Sequence, residues 1–434
     1  MRTTMGIEVT GGRRALIIAS VAMCAVGLPS AARAVEPSTV LTVEQALARA
    51  SASGPAAQLA QSGREVAAAR AQQARAWENP TLSVEVENVL GRGPYRDFDA
   101  AETTVSLSQP LPLGGGRSAR LRAARSDETA AEAGVALAAL EMRRDLTVAY
   151  AEAVAADRLA GIARERAALG AGTRDAVAKR HAAGLESDLQ RARVEVETAA
   201  MQAEARRAAA AALAHRRALA AHWREETVTA PLDESWFDAA PAPIGPLDAS
   251  VADAVSVDAH PLLRVARARI EQAKALLESA RGARHGGLEA TAGTRRYKDS
   301  PDGDRAWVLG LAMPLPLWDR NEAGIAEARA ALQAAELDAE RAARDLASGR
   351  ESARADLDAA RLEVEALEAS GVPSAAAAAQ LSAQGYEAGR LSLLERLDAE
   401  RAWVQSREQL VSARLRLRAA EARLAAYQAS STER

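Results

Sequence analysis

The sequence predicts a mainly α-helical protein with a small β part, and it predicts that this arrangement occurs twice. Three observations carry the prediction. No proline lies between Pro112 and Pro231, and only Pro373 follows Pro316; these stretches are filled with Ala, Arg, Glu and Leu, all good helix formers. Four short segments alternate apolar and polar residues in the manner of strands. Several landmarks recur in the same order at an offset of 204 to 206 residues.

The helices come first. Aromatic residues make up only 3% of the chain, and alanine dominates the hydrophobic residues. A compact core is normally built on larger side chains. Alanine with abundant charge points instead to long, closely packed helices. A helix from about Arg117 to Ala168 would be roughly 75–80 Å long at 1.5 Å per residue, which suits a coiled coil or tube. Near the end of the chain Trp403, Leu410, Leu417 and Leu424 recur every seven residues, a partial heptad row.

The strands follow. They are expected near Thr81–Asn88, Glu102–Leu111, Gly287–Tyr297 and Arg305–Leu315. Leu82, Val84 and Val86 alternate with Ser83, Glu85 and Glu87. Trp307, Leu309, Leu311 and Met313 share one face, opposite Ala306, Val308, Gly310 and Ala312. One apolar and one polar or small face over about ten residues is what a membrane strand requires. A soluble sheet capping a helical bundle would have the same pattern.

The repeat sets the domain organisation. Ser108-Gln109-Pro110-Leu111-Pro112-Leu113 corresponds to Ala312-Met313-Pro314-Leu315-Pro316-Leu317. Ala183-Gly184-Leu185-Glu186-Ser187-Asp188-Leu189 corresponds to Ala388-Gly389-Arg390-Leu391-Ser392-Leu393-Leu394, and Gly54-Pro55 to His260-Pro261. We expect a first unit over 35–230, a connector over 231–250 and a second unit over 251–434. Each unit would hold a helix (roughly 42–76 and 251–282), two strands, a Pro-rich turn and two long helices.

Residues 1–34 read as a secretory signal. Arg13 and Arg14 precede an apolar run, and Ala32-Arg33-Ala34 gives a small-residue cleavage site. A retained anchor is the other reading. Removing this segment takes four arginines and one glutamate from 55 basic and 58 acidic residues, leaving a net charge of −6. That argues against nucleic-acid binding, which calls for a basic face. The only cysteine, Cys24, follows the bulky Met23, which disfavours acylation. Beyond it no thiolate chemistry is available.

No later stretch reaches 18 uninterrupted apolar residues, so any membrane crossing is expected to use strands. Four strands cannot close a membrane barrel, since the smallest have about eight. Membranous strands would therefore imply a barrel shared between chains, and three copies would supply twelve strands.

The order of elements resembles the TolC family of outer-membrane factors. Glu78-Asn79-Pro80-Thr81-Leu82-Ser83-Val84-Glu85-Val86-Glu87-Asn88, Ser108-Gln109-Pro110-Leu111-Pro112-Leu113-Gly114-Gly115 and Pro314-Leu315-Pro316-Leu317-Trp318-Asp319-Arg320-Asn321 resemble its heavy-metal efflux branch, the CzcC-like proteins. The likeness covers about residues 41 to 427. It implies a homotrimer with a twelve-stranded barrel among outer-membrane lipid and an α-helical tube in the periplasm. The implied partners are a periplasmic adaptor (membrane fusion protein) and an inner-membrane pump of the RND class. The function implied is a passive export conduit for heavy-metal cations. Drug efflux and type I secretion would use a similar tube, and a soluble periplasmic coiled-coil scaffold is the alternative of a different class.

The resemblance also marks positions. Pro110, Pro112, Pro314 and Pro316 would form the strand-to-helix junctions. Gly184, Leu185, Ser187, Gly389, Leu391 and Ser392 would form tips that contact the adaptor; a plain helix–helix turn is the alternative. Glu395 and Asp398, three apart on one helix face, would line the periplasmic aperture with Tyr386 as a gate residue. The matching first-half positions are Gln190 and Arg193, so one half alone would supply acids. The alternative is a solvated helix face beside Arg396. Leu391 replaces the basic partner found in some members, so a tyrosine–arginine lock is not carried over.

Catalysis and cofactors are not expected. Gly114-Gly115-Gly116 lacks the remainder of a phosphate-loop motif and reads as a flexible transition. His215 and His222, seven apart, are too distant for one ion. No Ser–His–Asp arrangement can be argued from spacing.

Overall fold

The computed structural model describes residues 40–112, 115–240, 259–285, 287–298 and 304–428. The expected signal segment with Cys24, the connector beyond residue 240 and Gly114 lie outside the described residues.

The first half opens with α1 (Val43–Ser53) and α2 (Pro55–Arg75). One helix was expected here. The break falls at Gly54-Pro55, where Pro55 takes the first helical position and has no N–H to continue the ladder. A Cβ on Gly54 would lie 2.6 Å from the His222 carbonyl, so only glycine admits this close approach. Strands β1 (Thr81–Glu87) and β2 (Glu102–Leu111) follow. Then comes α3 (Gly116–Ala182), which runs 67 residues without a break, about 100 Å. This is longer than the sequence suggested, because the glycines at 161, 170 and 172 cost helix propensity but interrupt no packing. Helix α4 (Asp188–Ala221) returns alongside it.

The described part of the connector is ordered. Leu41 and Leu232 form a parallel bridge, and α5 (Glu234–Asp238) follows. The second half then gives α6 (Pro261–Gly282), β3 (Leu288–Tyr297), β4 (Arg305–Ala312), α7 (Glu322–Ala366), α8 (Val372–Glu387) and α9 (Leu393–Gln428). A single turn of π-helix, Leu367–Gly371, joins α7 to α8.

The four strands form one antiparallel sheet in the order β1-β2-β3-β4. Its two hairpins meet through β2 and β3, with Val105 opposite Thr294 and Leu107 opposite Ala292. Partners across each ladder share a face. Leu82, Val84, Leu107, Trp307, Leu309 and Leu311 therefore lie on one side, and Ser83, Glu85, Thr104, Ser106, Thr291 and Arg295 on the other. Trp307, Leu309 and Leu311 are 81%, 80% and 75% exposed, so the apolar side is bare. The polar side is knitted by side chains. Arg295 reaches Glu87 at 2.8 Å, Glu102 at 3.0 Å and Thr104 at 2.8 Å, spanning three strands. β4 ends at Ala312 rather than near Leu315, since Pro314 donates no ladder bond. Pro110, expected at a junction, lies inside β2 opposite Glu289; β1 pairing stops at Ser108, so its missing N–H leaves no partner unpaired.

Two kinds of core hold the helices. At mid-length Leu41, Leu146, Tyr150, Leu219 and Phe237 are buried together. The Tyr150 hydroxyl donates to the Leu41 carbonyl at 2.6 Å and accepts from the Asp233 amide at 2.7 Å. Along the second half, Ala353, Leu357, Ala360 and Val364 of α7 pack on Ala413, Leu417, Ala420 and Leu424 of α9. Both sets follow a 4-3-4 spacing, the seam of a coiled coil. Leu417 and Leu424 of the expected heptad row are buried there, Leu410 packs against them, and Trp403 lies outside the cluster.

Candidate functional site

The two helical hairpins end in tips of matching construction. In the first, Gly184 adopts φ +73° and ends α3; its amide donates to the His181 carbonyl at 2.9 Å, and the Leu185 amide donates to Arg180 at 2.9 Å. In the second, Gly389 adopts φ +70°, its amide donates to Tyr386 at 3.0 Å, and Arg390 donates to Gly385 at 2.8 Å. A left-handed residue is what a helix needs to turn back and satisfy its last carbonyls, and glycine adopts it at no steric cost.

Each tip then starts the returning helix with a capping box. The Ser187 hydroxyl accepts from the Gln190 amide at 3.3 Å, and the Gln190 side chain accepts from the Ser187 amide at 3.0 Å. The Ser392 hydroxyl accepts from the Glu395 amide at 3.3 Å, and the Glu395 carboxylate accepts from the Ser392 amide at 2.7 Å and its hydroxyl at 2.8 Å. Glu395 and Gln190 thus do the same capping work, while only Glu395 brings a negative charge to it. The Ser392 amide and then its hydroxyl hold the Glu395 carboxyl below its ordinary value.

Asp398 is also partnered. It lies 3.3 Å from Arg401, which also reaches Glu197 on α4. The two acids expected on one helix face have separate local partners, and both are exposed. Next to them Arg396 pairs with Glu400 at 3.0 Å.

Tyr386 occupies the point where the two tips meet. Its hydroxyl donates to the Glu186 carboxylate at 3.3 Å. Arg180 and Arg396 lie over its ring at 5.7 and 5.4 Å from the centroid, and Arg180 also pairs with Glu186 at 3.0 Å. The arginines that the resemblance did not supply at position 391 come from α3 and α9 instead. Burial and the Glu186 charge push the Tyr386 phenol above its ordinary value. Beneath it Val177, Val194, Leu393 and Leu397 of α3, α4 and α9 form a small apolar cluster, and Tyr386 of α8 packs against it. In the sequence Arg396 stands only as a neighbour of the acids, and nothing there assigns a role to Glu186 or Arg180. Glu186 corresponds to Leu391 in the second half, so the repeat conceals it.

The remaining tip residues face outward. Leu185 is 67% exposed and Leu189 78% exposed, while Leu391 is folded against Gly385. At the other end, Pro110, Pro112, Pro314 and Met313 line a cleft beneath the sheet with Glu78, Arg120 and Ser279. The turn into α3 is made by Gly115 at φ +76° and the turn into α7 by Asn321 at φ +57°, so Pro112 and Pro316 stiffen the approach without making the turn. Trp318 stands 95% exposed at this level.

Three histidines have structural partners: His181 pairs with Asp188 at 2.9 Å, His215 with Glu152 at 3.6 Å, and His260 reaches the Ala426 carbonyl at 3.1 Å. No described helix is long and apolar enough to cross a membrane.

Comparison with known proteins agrees with this geometry. The family described as "Outer membrane efflux protein" matches residues 256–429. The cobalt-zinc-cadmium resistance protein CzcC of Cupriavidus metallidurans is 27% identical over 337 residues, covering 77% of each chain. The nickel-cobalt-cadmium resistance protein NccC of Alcaligenes xylosoxydans xylosoxydans is 30% identical over 290 residues, covering 65% of this chain and 64% of that one. The CmeC outer membrane channel of Campylobacter jejuni has the same fold, with a TM-score of 0.75 at 15% identity over 90% of this chain and 87% of that one.

Proposed function

For a chain that belongs to the outer-membrane efflux proteins and shares the TolC-like fold, we propose that three copies form one export conduit for heavy-metal cations. The tube would receive its cargo from an inner-membrane RND pump through a periplasmic adaptor. The observation that carries this reading is the sheet. β1 and β4 each have one unpaired edge, and the face bearing Trp307, Leu309 and Leu311 is apolar and bare. Open edges in lipid cost several kcal/mol for each unpaired group. Pairing β1 of one copy with β4 of the next removes both edges, and three copies give a strand number at which membrane barrels close.

The lumen side suits cations. Arg295 is the one base on the polar face of the four strands, against Glu85, Glu87, Glu102 and Glu289. The metal part of the reading comes from the resistance proteins it is similar to, whose names print cobalt, zinc, cadmium and nickel. Drug efflux and protein secretion remain the alternatives for a tube of this shape. A soluble scaffold fits less well, because it has no use for a bare apolar sheet face with two open edges.

Within this reading the tips have two tasks. Gly184, Leu185, Ser187, Gly389, Leu391 and Ser392 offer the adaptor two matched turns flanked by the exposed Leu185 and Leu189. Tyr386, with Glu395 and Asp398 nearby, sets the periplasmic aperture, and Glu186, Arg180 and Arg396 hold it closed.

The test is deletion of the gene followed by growth on zinc, cobalt, cadmium, copper and silver. Lost tolerance to one or more, restored by the intact gene, is expected. Unchanged tolerance to all five counts against metal export.

A further inference from the structure

The halves differ at one point along their long helices. At the strand-to-helix junctions their offset is 204 residues, as in Pro110 with Pro314 and Pro112 with Pro316. At the tips it is 205, as in Gly184 with Gly389 and Ser187 with Ser392. Buried positions show the same change. Ala153, Ala156 and Ala160 of α3 match Leu357, Ala360 and Val364 of α7 at the shorter offset, whereas Val177 matches Ser382 at the longer one. One residue has been added between Val364 and Ser382.

Leu367–Gly371 is where it sits. This turn is π-helical, closed by the Val372 amide donating to the Leu367 carbonyl five residues back. Such a turn holds one residue more than an α-turn. α3 passes its equivalent stretch as unbroken helix. The local sequence explains the site. Pro373 has no N–H for the Ala369 carbonyl and would crowd it in a regular helix. Gly371 is a weak helix former. The Ser370 hydroxyl donates to the Ala366 carbonyl at 3.0 Å.

The turn is also tied down. Glu368, within it, accepts from Arg414 of α9 at 2.7 and 3.0 Å. Arg414 is paired as well with Asp238 of α5, which accepts from Arg158 of α3 at 2.6 Å. Arg158 reaches Glu234 at 2.9 Å. An unbroken line of ion pairs thus runs from the irregular turn through α9 and the connector to the first half. Above the turn α7 is fixed to α9 by the coiled-coil seam. Below it α8 runs to the tip beside α9, with Ala379 and Ser382 buried.

We propose that Leu367–Gly371 is the hinge on which α8 and the Tyr386 tip move relative to α7, and that Glu368, Arg414 and Asp238 latch it shut. The proposal rests on the export-channel reading for its purpose, though not for its geometry. Pro373 gives the Ala369 carbonyl no N–H and the π-turn interrupts the regular ladder, so the helix bends here first. The latch joins that turn to the connector, so the closed tip of the second half is held against the first.

Three variants test it in a Cys24→Ser background, with spin labels on Leu189→Cys and Leu394→Cys and with planar-bilayer recording. Deleting Ala369 should convert the π-turn to α-helix without shifting either flank. Trimers should still assemble, the distribution of label distances should narrow to one component, and the open-state conductance should fall at least tenfold. Deleting Arg164 from the matching part of α3 should abolish assembly, because no spare residue exists there. Glu368→Gln should raise the resting conductance several-fold and populate a second distance. Failure of the Ala369 deletion to assemble, or label distances unchanged in both it and Glu368→Gln, overturns the hinge. A silent unmodified protein in the bilayer overturns the channel reading instead, and the label distances still decide the hinge.

Discussion

Glu186 and Tyr386 are 200 residues apart in sequence, and the tyrosine hydroxyl lies 3.3 Å from the carboxylate. This contact ties the first hairpin tip to the second. It is reinforced by Arg180 and Arg396, two cations over the ring, which favours positive charge on its face.

Tyr386→Phe and Glu186→Gln should each loosen this tie. Fold stability should change by no more than about 1 kcal/mol for the lost bond. Resting conductance in a planar bilayer should rise, and cells should become more sensitive to large antibiotics. Resting conductance equal to that of the unmodified protein contradicts the role. The phenol stays protonated in the fold to a pH above its ordinary value, because burial and Glu186 oppose ionisation. The stability it contributes is complete below that ordinary value and is lost as pH rises through the raised one.

Glu395 offers a cleaner separation of two roles. Glu395→Gln keeps the capping box, as Gln190 does in the first half, but removes the charge. If its charge helps to set the aperture, cation selectivity falls while amide exchange at 392–395 stays slow. Glu395→Ala should speed that exchange. Since Ser392 lowers the Glu395 carboxyl, the cap is intact above the ordinary carboxyl value and weakens as pH falls through the lowered one.

Tyr150 anchors the middle of the molecule. Tyr150→Phe leaves the Leu41 carbonyl and the Asp233 amide without this partner, at about 2–4 kcal/mol in total. Burial pushes its phenol up to about 12 from an ordinary 10.0. Its contribution is therefore complete below pH 10.0 and is lost between there and about 12. Chemical denaturation at pH 8 and pH 11 checks the sign; equal stability of the two proteins at pH 8 contradicts it.

The sheet faces make opposite predictions. Leu309→Arg places a charge on the lipid side and should cost about 2–4 kcal/mol near the bilayer midplane, lowering the yield of assembled protein in the outer membrane. Val308→Arg, one residue away on the other face, should assemble and alter conductance. Equal loss for both contradicts the assignment of faces.

How much of this was legible depends on whether a feature is local. The strands at Thr81 and Glu102, the αL glycines at 184 and 389 and the heptad positions Leu417 and Leu424 follow from period and residue type, and they stand close to where the sequence placed them. The break at Gly54-Pro55 was missed because its cause, the His222 carbonyl, belongs to a distant helix. Helical spacing places Glu395 on a face with Asp398, whereas its capping bond depends on Ser392 three residues earlier. The π-turn is not legible from Pro373 alone, because a proline can equally start or kink a helix and the change of offset spans residues whose pairing only the fold fixes. Arg180, Glu186 and Arg396 come together only when both hairpins are folded.

The central claim is that three copies share one barrel. Its most direct test is cysteine cross-linking of the open edges in outer membranes. Cysteine at Leu309 on β4 would be combined in turn with cysteine at Leu82, Val84 or Val86 on β1, all on the same face. In a Cys24→Ser background, the account predicts that at least one pairing gives a covalent ladder ending at three chains on non-reducing gels. Monomer in every pairing, or a ladder that continues past three, would contradict it.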